Sequence, residues 1–441
     1  MPGGLTPFTA LSPLEAAGRY IHALPEGAMV AVALSGGGDS VGLLTALHAA
    51  NDRLAGRIRL AAVTVDHALR PQSADEATAM GDFCRTLSVP HVALVWEGEK
   101  PEAGVSEAAR QARYHLLAEG ARRLGVDCLV TAHTLDDQLE TVEMRRQRSD
   151  TSLRGLAGIA PAALFFGGLA VHRPFLRVKR GEIRDMLAAR GVGWFDDPTN
   201  DDPHYERVRV RQAGQFVLDA EAIAAAAHKR TTLSQEAADY LASHGRMPLP
   251  LLFELDLPQD SEAENLVLAT LIAVAGGQTH LPGQEQLGRL RDMLLDRRGS
   301  LSVSLGRTVV ERRKDKLFIA RDRRNLPTLR LPPGGSADWD GRFHVTNTSP
   351  AELTIGAMRE REAAAAKVQG RIDRRALATL PDCAVPGHHE GKGTTRPLLA
   401  PFERVLTSFD RPLADALCRI TGRPVFPAFL SAGVETFLVS G

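Results

Sequence analysis

A short run of serine, glycine and aspartate follows an apolar segment and is the first place where this sequence could do chemistry. It consists of Ser35, Gly36, Gly37, Gly38, Asp39 and Ser40. Glycines let backbone N–H groups approach a ligand, and the start of a following helix adds unpaired N–H groups and a positive dipole end. The serine hydroxyls can donate to phosphate oxygens, and Asp39 can hold a magnesium ion. The glycine loop (residues 35–40) is therefore predicted to bind an anion, although a strand-to-helix turn capped by Ser40 would look similar.

The glycine loop differs from the two commonest nucleotide-binding motifs. A Walker loop needs a lysine before its serine or threonine, and none stands here. The dinucleotide fingerprint would place its last glycine at position 41, which is Val41. The loop therefore predicts another class of nucleotide site.

A second group of polar residues lies within residues 131–141. If a helix begins near Leu135, then His133, Asp137 and Glu140 come together on one side, because residues three and four apart stack on a helix. Two carboxylates beside an anion site suit an ammonium group or a magnesium ion. A capped, solvated acidic helix start is the alternative, since acidic residues favour the first turn of a helix.

Apolar runs that alternate with helical patterns must position these two groups. Four strands are predicted, at residues 29–34, 58–65, 91–96 and 128–131, with helices at residues 41–50, 74–87 and 106–124. This alternation predicts an α/β fold with a doubly wound parallel sheet. Such sheets bind ligands at the carboxyl ends of their strands, which directs attention to residues 35–40, 66–70 and 132–140. Beyond residue 215 the pattern predicts smaller helical and α+β C-terminal domains.

Composition limits the class of protein. Of 441 residues, 44% are hydrophobic, as in globular proteins, and 53 basic residues balance 53 acidic ones, so a nucleic-acid surface must come from local clusters. Four scattered cysteines form no Cys-x-x-Cys pair and fit a reducing compartment. Without a charged, apolar leader or an apolar run of membrane-spanning length, a cytoplasmic location and no membrane partner are expected.

Several segments together resemble one family. The glycine loop resembles the SGGxDS signature of the N-type ATP pyrophosphatases, and residues 132–141 (AHTLDDQLET) resemble the AHxxDDQxET motif of the tRNA(Ile)-lysidine synthases. Further segments agree in the same order: residues 65–70 (VDHALR), 107–114 (EAARQARY), 173–176 (RPFL) and 196–200 (DDPTN). The likeness is strong over residues 28–212, weak over residues 284–325 and poor in the final module.

The resemblance implies a Rossmann-like ATP pyrophosphatase fold and a two-step ligase reaction. ATP would adenylate oxygen 2 of the wobble cytosine in an isoleucine tRNA with a CAU anticodon. The side-chain amine of free L-lysine would then displace AMP and give lysidine. A related tRNA-thiolating enzyme, or another ATP pyrophosphatase that adenylates a nucleobase, is the alternative.

The same resemblance assigns roles to residues by motif position. The glycine loop and His67 would bind ATP, and Asp39 and Asp137 would hold Mg²⁺. Asp137 and Glu140 would hold the lysine. Arg113 would stabilise charge that develops at the phosphate, and His133 would sit beside the ATP.

A change of pattern near residue 215 and a Pro-Pro-Gly-Gly run at residues 332–335 predict a catalytic domain at residues 1–215, a tRNA-binding domain at residues 216–328 and a C-terminal domain of open role at residues 329–441. Arginine-rich stretches at residues 144–154, 205–211 and 311–324 are candidates for contacts with RNA phosphates. The first two depart from the family, which usually has apolar residues in the first and an RNRIR segment in the second. A homodimer is left open.

Overall fold

The computed structural model describes residues 8–68, 72–98, 105–148, 152–196, 202–296, 301–358, 371–384 and 393–430. The chain forms two compact units. The first unit holds Met1–Arg230, Thr407–Phe409 and Pro427–Gly441, and the second unit holds Thr231–Leu406 and Asp410–Phe426. The predicted three-part division stays a prediction.

The first unit is built on a mainly parallel sheet. Its strands are β1 (Met29–Ala33), β2 (Arg59–Asp66), β3 (His91–Val95), β4 (Cys128–Val130), β5 (Ala162–Phe165) and β6 (Leu169–His172). Across the sheet these six run β5-β6-β4-β1-β2-β3, and each neighbouring pair is parallel except β5 with β6. The predicted doubly wound parallel sheet is confirmed, and the β5–β6 hairpin adds one antiparallel strand.

Helices surround this sheet. They are α1 (Pro13–Ala23), α2 (Gly38–Arg53), α3 (Ser73–Thr86), α4 (Val105–Leu124), α5 (Leu135–Gln147), α6 (Leu153–Leu156), α7 (Arg180–Ala189) and α8 (Glu206–Ala213), and α9 (Ala220–His244) leads into the second unit. In the described parts of the chain, no helix is both long and apolar enough to cross a membrane.

The direction of the strand order reverses at β1. From β1 the chain builds β2 and β3 on one side and later β4 and β6 on the other. In open α/β sheets, ligands bind in the crevice at such a switch point. Because the glycine loop follows β1 and helix α5 follows β4, both predicted chemical segments lie at this crevice.

Close helix packing brings a third segment to the same place. Helix α2 packs against α7, and a Cβ built on Gly42 would lie only 2.2 Å from Cγ2 of Ile183. Glycine is therefore needed at position 42 for this approach. Helix α7 begins at Arg180, three residues before Ile183, so this packing positions the backbone of that arginine.

The remaining elements form the α+β second unit, which confirms the predicted smaller C-terminal folds. They are β7 (Gly245–Leu249), β8 (Leu252–Asp256), α10 (Glu262–Gly276), α11 (Gln284–Leu295), β9 (Leu301–Leu305), β10 (Thr308–Arg313), β11 (Lys316–Arg321), β12 (Leu329–Leu331), β13 (Ser336–Trp339), β14 (Phe343–Asn347), β15 (Leu353–Ile355), α12 (Arg371–Leu377), β16 (Gly393–Pro397), α13 (Ala400–Glu403) and α14 (Arg411–Thr421). Strand β17 (Val405–Thr407) instead belongs to the sheet of the first unit, as a seventh strand beside β5. An antiparallel sheet ordered β7-β8-β11-β10-β9 packs against the buried helix α10, and smaller sheets pair β12 with β15 and β13-β14-β16.

A buried ion cluster ties strands of the second unit together. Asp340, in the turn between β13 and β14, accepts from Nε of Arg321 at 3.0 Å and Nε of Arg342 at 2.6 Å. Both arginine side chains are 1% exposed. Arg312 is also buried and donates to the carbonyl oxygen of Leu294 at 3.1 Å. Arg312 and Arg321 of the basic stretch at residues 311–324 are therefore structural groups of the interior.

Candidate active site

The glycine loop joins β1 to α2 in a turn that favours glycine. Gly36 has a φ of +87°, and a Cβ on it would lie 3.0 Å from the ring of Phe195. The Ser40 hydroxyl donates to the carbonyl oxygen of Gly37 at 3.0 Å and accepts from the Ser35 N–H at 3.1 Å. The two serines that were predicted to face phosphate therefore also hold the turn.

The start of α2 gives this loop the character of an anion site. Its N-cap is Gly37, which has no side chain to cap the first turn, so the positive end of the helix faces the loop. On one side, the Phe195 N–H donates to the carbonyl oxygen of Gly36 at 3.0 Å. The Trp194 ring lies 3.3 Å from the position of a Cβ on Gly38. An aromatic segment therefore borders the candidate phosphate site.

Helix α5 begins at Leu135, as predicted, with a capping box. Oδ2 of Asp137 accepts from the N–H of Thr134 at 2.7 Å and from its hydroxyl at 2.9 Å. This contact fixes the rotamer of Asp137 and leaves Oδ1 for a different partner. Glu140 lies one turn further along the same face.

Arg180 contacts all three carboxylates that were predicted to belong to the site. Its Nε lies 3.2 Å from Oδ2 of Asp39, its Nη2 lies 3.1 Å from Oδ1 of Asp137, and its Nη1 lies 3.2 Å from Oε1 of Glu140. The backbone N–H of Arg180 donates to Oδ2 of Asp136 at 2.8 Å, which anchors the start of α7 to the start of α5. The carboxylate trio (Asp39, Asp137 and Glu140) therefore converges on one guanidinium.

Two arginines of α8 complete this network. Nε of Arg211 donates to Oε1 of Glu140 at 2.8 Å, and Nε of Arg207 lies 3.3 Å from Oε2. The Glu140 side chain is only 1% exposed, so it is a buried carboxylate surrounded by guanidinium groups. Arg207 and Arg211 belong to a stretch that was predicted to contact RNA phosphates, and Arg180 was not among the predicted site residues. Arg207 and Arg211 are four positions apart, which indicates a shared helix face, but only the fold shows that this face meets Glu140.

The ionisation of the carboxylate trio affects its ability to bind a metal ion. Burial raises the pKa of Asp39, and the nearby charge of Asp137 adds to this effect, while Arg180 opposes it. Among the described residues, no three His, Cys, Asp or Glu side chains form a group that could hold a metal ion. Magnesium usually binds one or two carboxylates together with substrate phosphates. Asp39 and Asp137, a pair of neighbouring carboxylates beside an anion site, fit that kind of site.

His133 follows β4 and is uncharged. Burial lowers its pKa to about 3, and the positive charge of Arg173 acts in the same direction. Its Nδ1 lies 3.0 Å from Oγ1 of Thr131. A neutral imidazole with so low a pKa is a weak base but still a hydrogen-bonding group. Its state is compatible with the predicted role beside the ATP.

Arg113 lies in the same charged neighbourhood. Its charge also contributes to the lowered pKa of His133. Burial would raise the pKa of the neighbouring Tyr114, but the charges of Arg173, Arg110 and Arg113 together lower it. Helix α4 and the segment after β6 therefore bring several guanidinium groups to the end of β4, as a site for a phosphate would require.

His67 lies at the carboxyl end of β2, next to β1. Its ring meets Trp96 edge to face, with centroids 6.2 Å apart. Oδ1 of Asp66 accepts from the Ala68 N–H at 2.7 Å and shapes the turn. Two other parts of the predicted motifs lie outside the described residues, namely Leu69 with Arg70 and residues 197–200.

The arginine-rich stretch at residues 144–154 has internal partners. Arg145 donates to the carbonyl oxygens of Gly155 and Gly158 at 3.2 and 3.1 Å. Arg146 pairs with Glu143 and Arg148 with Glu206. Any contact of these side chains with RNA would compete with partners that they already have.

Comparisons with known proteins match the part of the chain that holds this site. Residues 15–215, which contain the whole crevice, match the PP-loop domain family. The tRNA(Ile)-lysidine synthase of Rhizobium meliloti (strain 1021) is 37% identical over 440 residues, covering 94% of this chain and 96% of that protein. The tRNA(Ile)-lysidine synthase of Mesorhizobium japonicum is 39% identical over 427 residues, covering 90% of this chain and 93% of that protein. The tRNA(Ile)-lysidine synthase of Brucella anthropi is 37% identical over 356 residues, covering 76% of this chain and 77% of that protein. Since the similarity extends from the PP-loop domain through nearly the full length of these relatives, the chain belongs to the tRNA(Ile)-lysidine synthase family.

Proposed function

We propose that this protein ligates L-lysine to carbon 2 of the wobble cytidine in an isoleucine tRNA with a CAU anticodon, and that ATP is split to AMP and pyrophosphate. One observation carries the proposal beyond family membership. The glycine loop, an anion site, and the carboxylates of α5, which suit an amine, meet at the switch point of the sheet and are joined by Arg180. A nucleotide and an amine can therefore be held side by side.

In the first step, oxygen 2 of the cytosine attacks the α-phosphorus of ATP, and the bond to pyrophosphate breaks. The N–H groups of the glycine loop bind the departing pyrophosphate. Arg113 stabilises the charge that develops on the phosphate, and the uncharged His133 positions it through hydrogen bonds. Asp39 and Asp137 would hold a magnesium ion, which would supply positive charge to the phosphate oxygens.

In the second step, the lysine amine loses one proton to solvent and attacks carbon 2. The bond from carbon 2 to the adenylated oxygen breaks, and AMP leaves with that oxygen. Asp137 and Glu140 hold the amine as an ammonium before this step. Because Glu140 is buried among arginines, this role requires that a guanidinium give way.

The state of the cysteines weighs against the thiolation alternative. Burial raises the pKa of Cys84 to about 11 and that of Cys128 to about 12. The thiolate is the reactive form of cysteine, so these thiols are poor nucleophiles. All four cysteines are free, and three of them are buried. The ligase function is therefore the better supported of the two.

Labelled lysine provides the direct test. The purified protein, ATP and Mg²⁺ should incorporate lysine into an isoleucine tRNA transcript with a CAU anticodon, and AMP formation should require both lysine and that tRNA. A methionine tRNA, which has the same anticodon, is the control and should remain unlabelled. Absence of incorporation by a well-folded preparation would falsify the assignment.

A further inference from the structure

The carboxylate trio is already occupied by the protein's own cations. The side chain of Arg180 contacts all three carboxylates at 3.1 to 3.2 Å. Oε1 of Glu140 receives Arg180 and Arg211, and its Oε2 lies near Arg207 and Arg211. A carboxylate has about four lone-pair sites, so Glu140 has little capacity for a further donor. An ammonium that entered this site would also meet the positive charge of Arg180.

Of the three arginines, Arg180 is the one whose described ion pairs include Asp39 of the glycine loop. The described ion pairs of Arg207 and Arg211 are with Asp137 and Glu140. Each of the three nitrogen atoms of Arg180 reaches a different carboxylate, so it forms no two-pronged pair with any of them. Arg211, by contrast, approaches both oxygens of Glu140, at 2.8 and 3.4 Å. Two-pronged arginine–carboxylate pairs are the stronger kind. Arg180 is therefore held to each carboxylate by a single contact, and it is the guanidinium that links the carboxylates of α5 to the glycine loop.

The fold provides a second partner for this guanidinium. Asp39, which Arg180 contacts through Nε, belongs to the glycine loop, so nucleotide phosphates in that loop would lie close to the same side chain. The backbone of Arg180 stays fixed by its N–H bond to Asp136 and by the tight packing of α2 on α7. Movement of the side chain alone would therefore exchange carboxylates for phosphates.

We propose that Arg180 is a positioning residue that occupies Asp137 and Glu140 until nucleotide phosphates draw its guanidinium away, so that lysine binds after ATP. This inference rests on the proposed ligase function. It gives the enzyme a binding order, in which the amine enters only a site that already holds the nucleotide. Nucleotide and lysine would then be coupled, each strengthening the binding of the other.

Equilibrium binding of labelled lysine to the full-length protein tests this coupling without turnover. The measurement is made with and without Mg²⁺ and the α,β-methylene analogue of ATP, which cannot release pyrophosphate. In the unaltered protein the analogue should strengthen lysine binding by about tenfold or more. In Arg180→Gln, lysine should bind without the analogue nearly as well as with it, within about twofold.

Two further variants separate this role from a structural one. Arg184→Gln removes the same charge one turn along α7, where the side chain is exposed and pairs with Asp196, so the coupling should remain. Arg180→Lys keeps a positive charge but cannot reach three carboxylates at once, so it should retain part of the coupling. Because it preserves the charge, Arg180→Lys also serves if Arg180→Gln fails to fold, which thermal unfolding would reveal.

Distinct outcomes overturn the two proposals. Equal lysine affinity with and without the analogue in the unaltered protein overturns the binding order, even if lysine is incorporated into tRNA. Unchanged coupling in Arg180→Gln, or loss of coupling in Arg184→Gln, also overturns it. Failure of the unaltered protein to bind lysine in either state overturns the ligase function together with the binding order.

Discussion

Nε of Arg211 donates to Oε1 of Glu140 at 2.8 Å, although 71 positions separate the two residues in the chain. The bond joins α8 to α5 and places a partly exposed guanidinium on a carboxylate that is 1% exposed. A carboxylate buried to this degree needs paired charge. The Arg211–Glu140 pair therefore stabilises the fold and is also part of the candidate site.

Replacement of Arg211 should show how much the Arg211–Glu140 pair contributes to the free energy of unfolding. Arg211→Ala leaves Glu140 with Arg180 and Arg207 but removes hydrogen bonds to a buried charge, so the free energy of unfolding should fall by about 1–3 kcal/mol. Urea-induced unfolding provides the measurement. Arg209→Ala on the same helix is the control, because Arg209 donates only to the carbonyl oxygens of Pro203 and His204 among the described residues. Equal losses in the two variants would contradict the role given to the Arg211–Glu140 pair.

Asp39 should be required for turnover. Asp39→Ala removes the glycine-loop carboxylate proposed to hold Mg²⁺, so AMP formation should fall by about 100-fold or more. The assay is tRNA- and lysine-dependent release of AMP. Asp52→Ala, in the last turn of the same helix, removes an exposed carboxylate and should retain activity. Near-normal turnover by Asp39→Ala would remove the basis for the metal role.

Gly36 should be intolerant of a side chain. Gly36→Ala places an L-residue at a φ of +87° and a Cβ 3.0 Å from Phe195, so about 1–2 kcal/mol of stability should be lost. Nucleotide affinity should fall with it, because the loop would shift. Gly18→Ala is the matched control: it lies within α1 with no atom within 4 Å of the added Cβ, so it should stabilise by about 0.5–1 kcal/mol. Thermal unfolding and titration with the ATP analogue would compare the two variants.

Local patterns predicted the strands and helices around the site well. The strand predicted at residues 29–34 is Met29–Ala33, and the helix expected near Leu135 begins at that residue. Both predictions depend only on residues that are close together in the sequence, namely an apolar run and a capping box. The β5–β6 hairpin was not predicted. Each of its strands has only four residues, which is too short for a clear period.

Distant ion pairs could not be predicted in the same way. Arg180 contacts Asp39 across 141 positions, and nothing near Arg180 in the sequence indicates a carboxylate partner. The basic stretch at residues 311–324 was predicted to contact RNA phosphates, yet Arg321 is buried because Asp340, 19 positions away, neutralises it. A run of charged residues in the sequence shows which charges are present, whereas the ion-pair partner of each charge depends on tertiary structure.

The stability of the first unit is expected to depend on pH through His172. Its Nε2 lies 2.6 Å from the carbonyl oxygen of Phe429, which can only accept, so Nε2 carries the proton and Nδ1 accepts from the Tyr20 hydroxyl at 2.8 Å. Burial lowers the pKa of His172 from 6.5 to about 4. Because the unfolded chain binds this proton more readily, the stabilisation is complete above pH 6.5 and is lost as the pH falls towards 4.

The loss attributable to His172 should approach about 3 kcal/mol across that window. Urea unfolding at a series of pH values would measure it as a difference between the unaltered protein and His172→Gln. Glutamine can donate to Phe429 and accept from Tyr20 without binding a proton, so its unfolding free energy should fall less between pH 6.5 and 4. His22→Gln, at an exposed position in the last turn of α1, should follow the unaltered protein. Parallel pH profiles for the unaltered protein and His172→Gln would mean that burial of this imidazole does not govern the acid sensitivity of the fold.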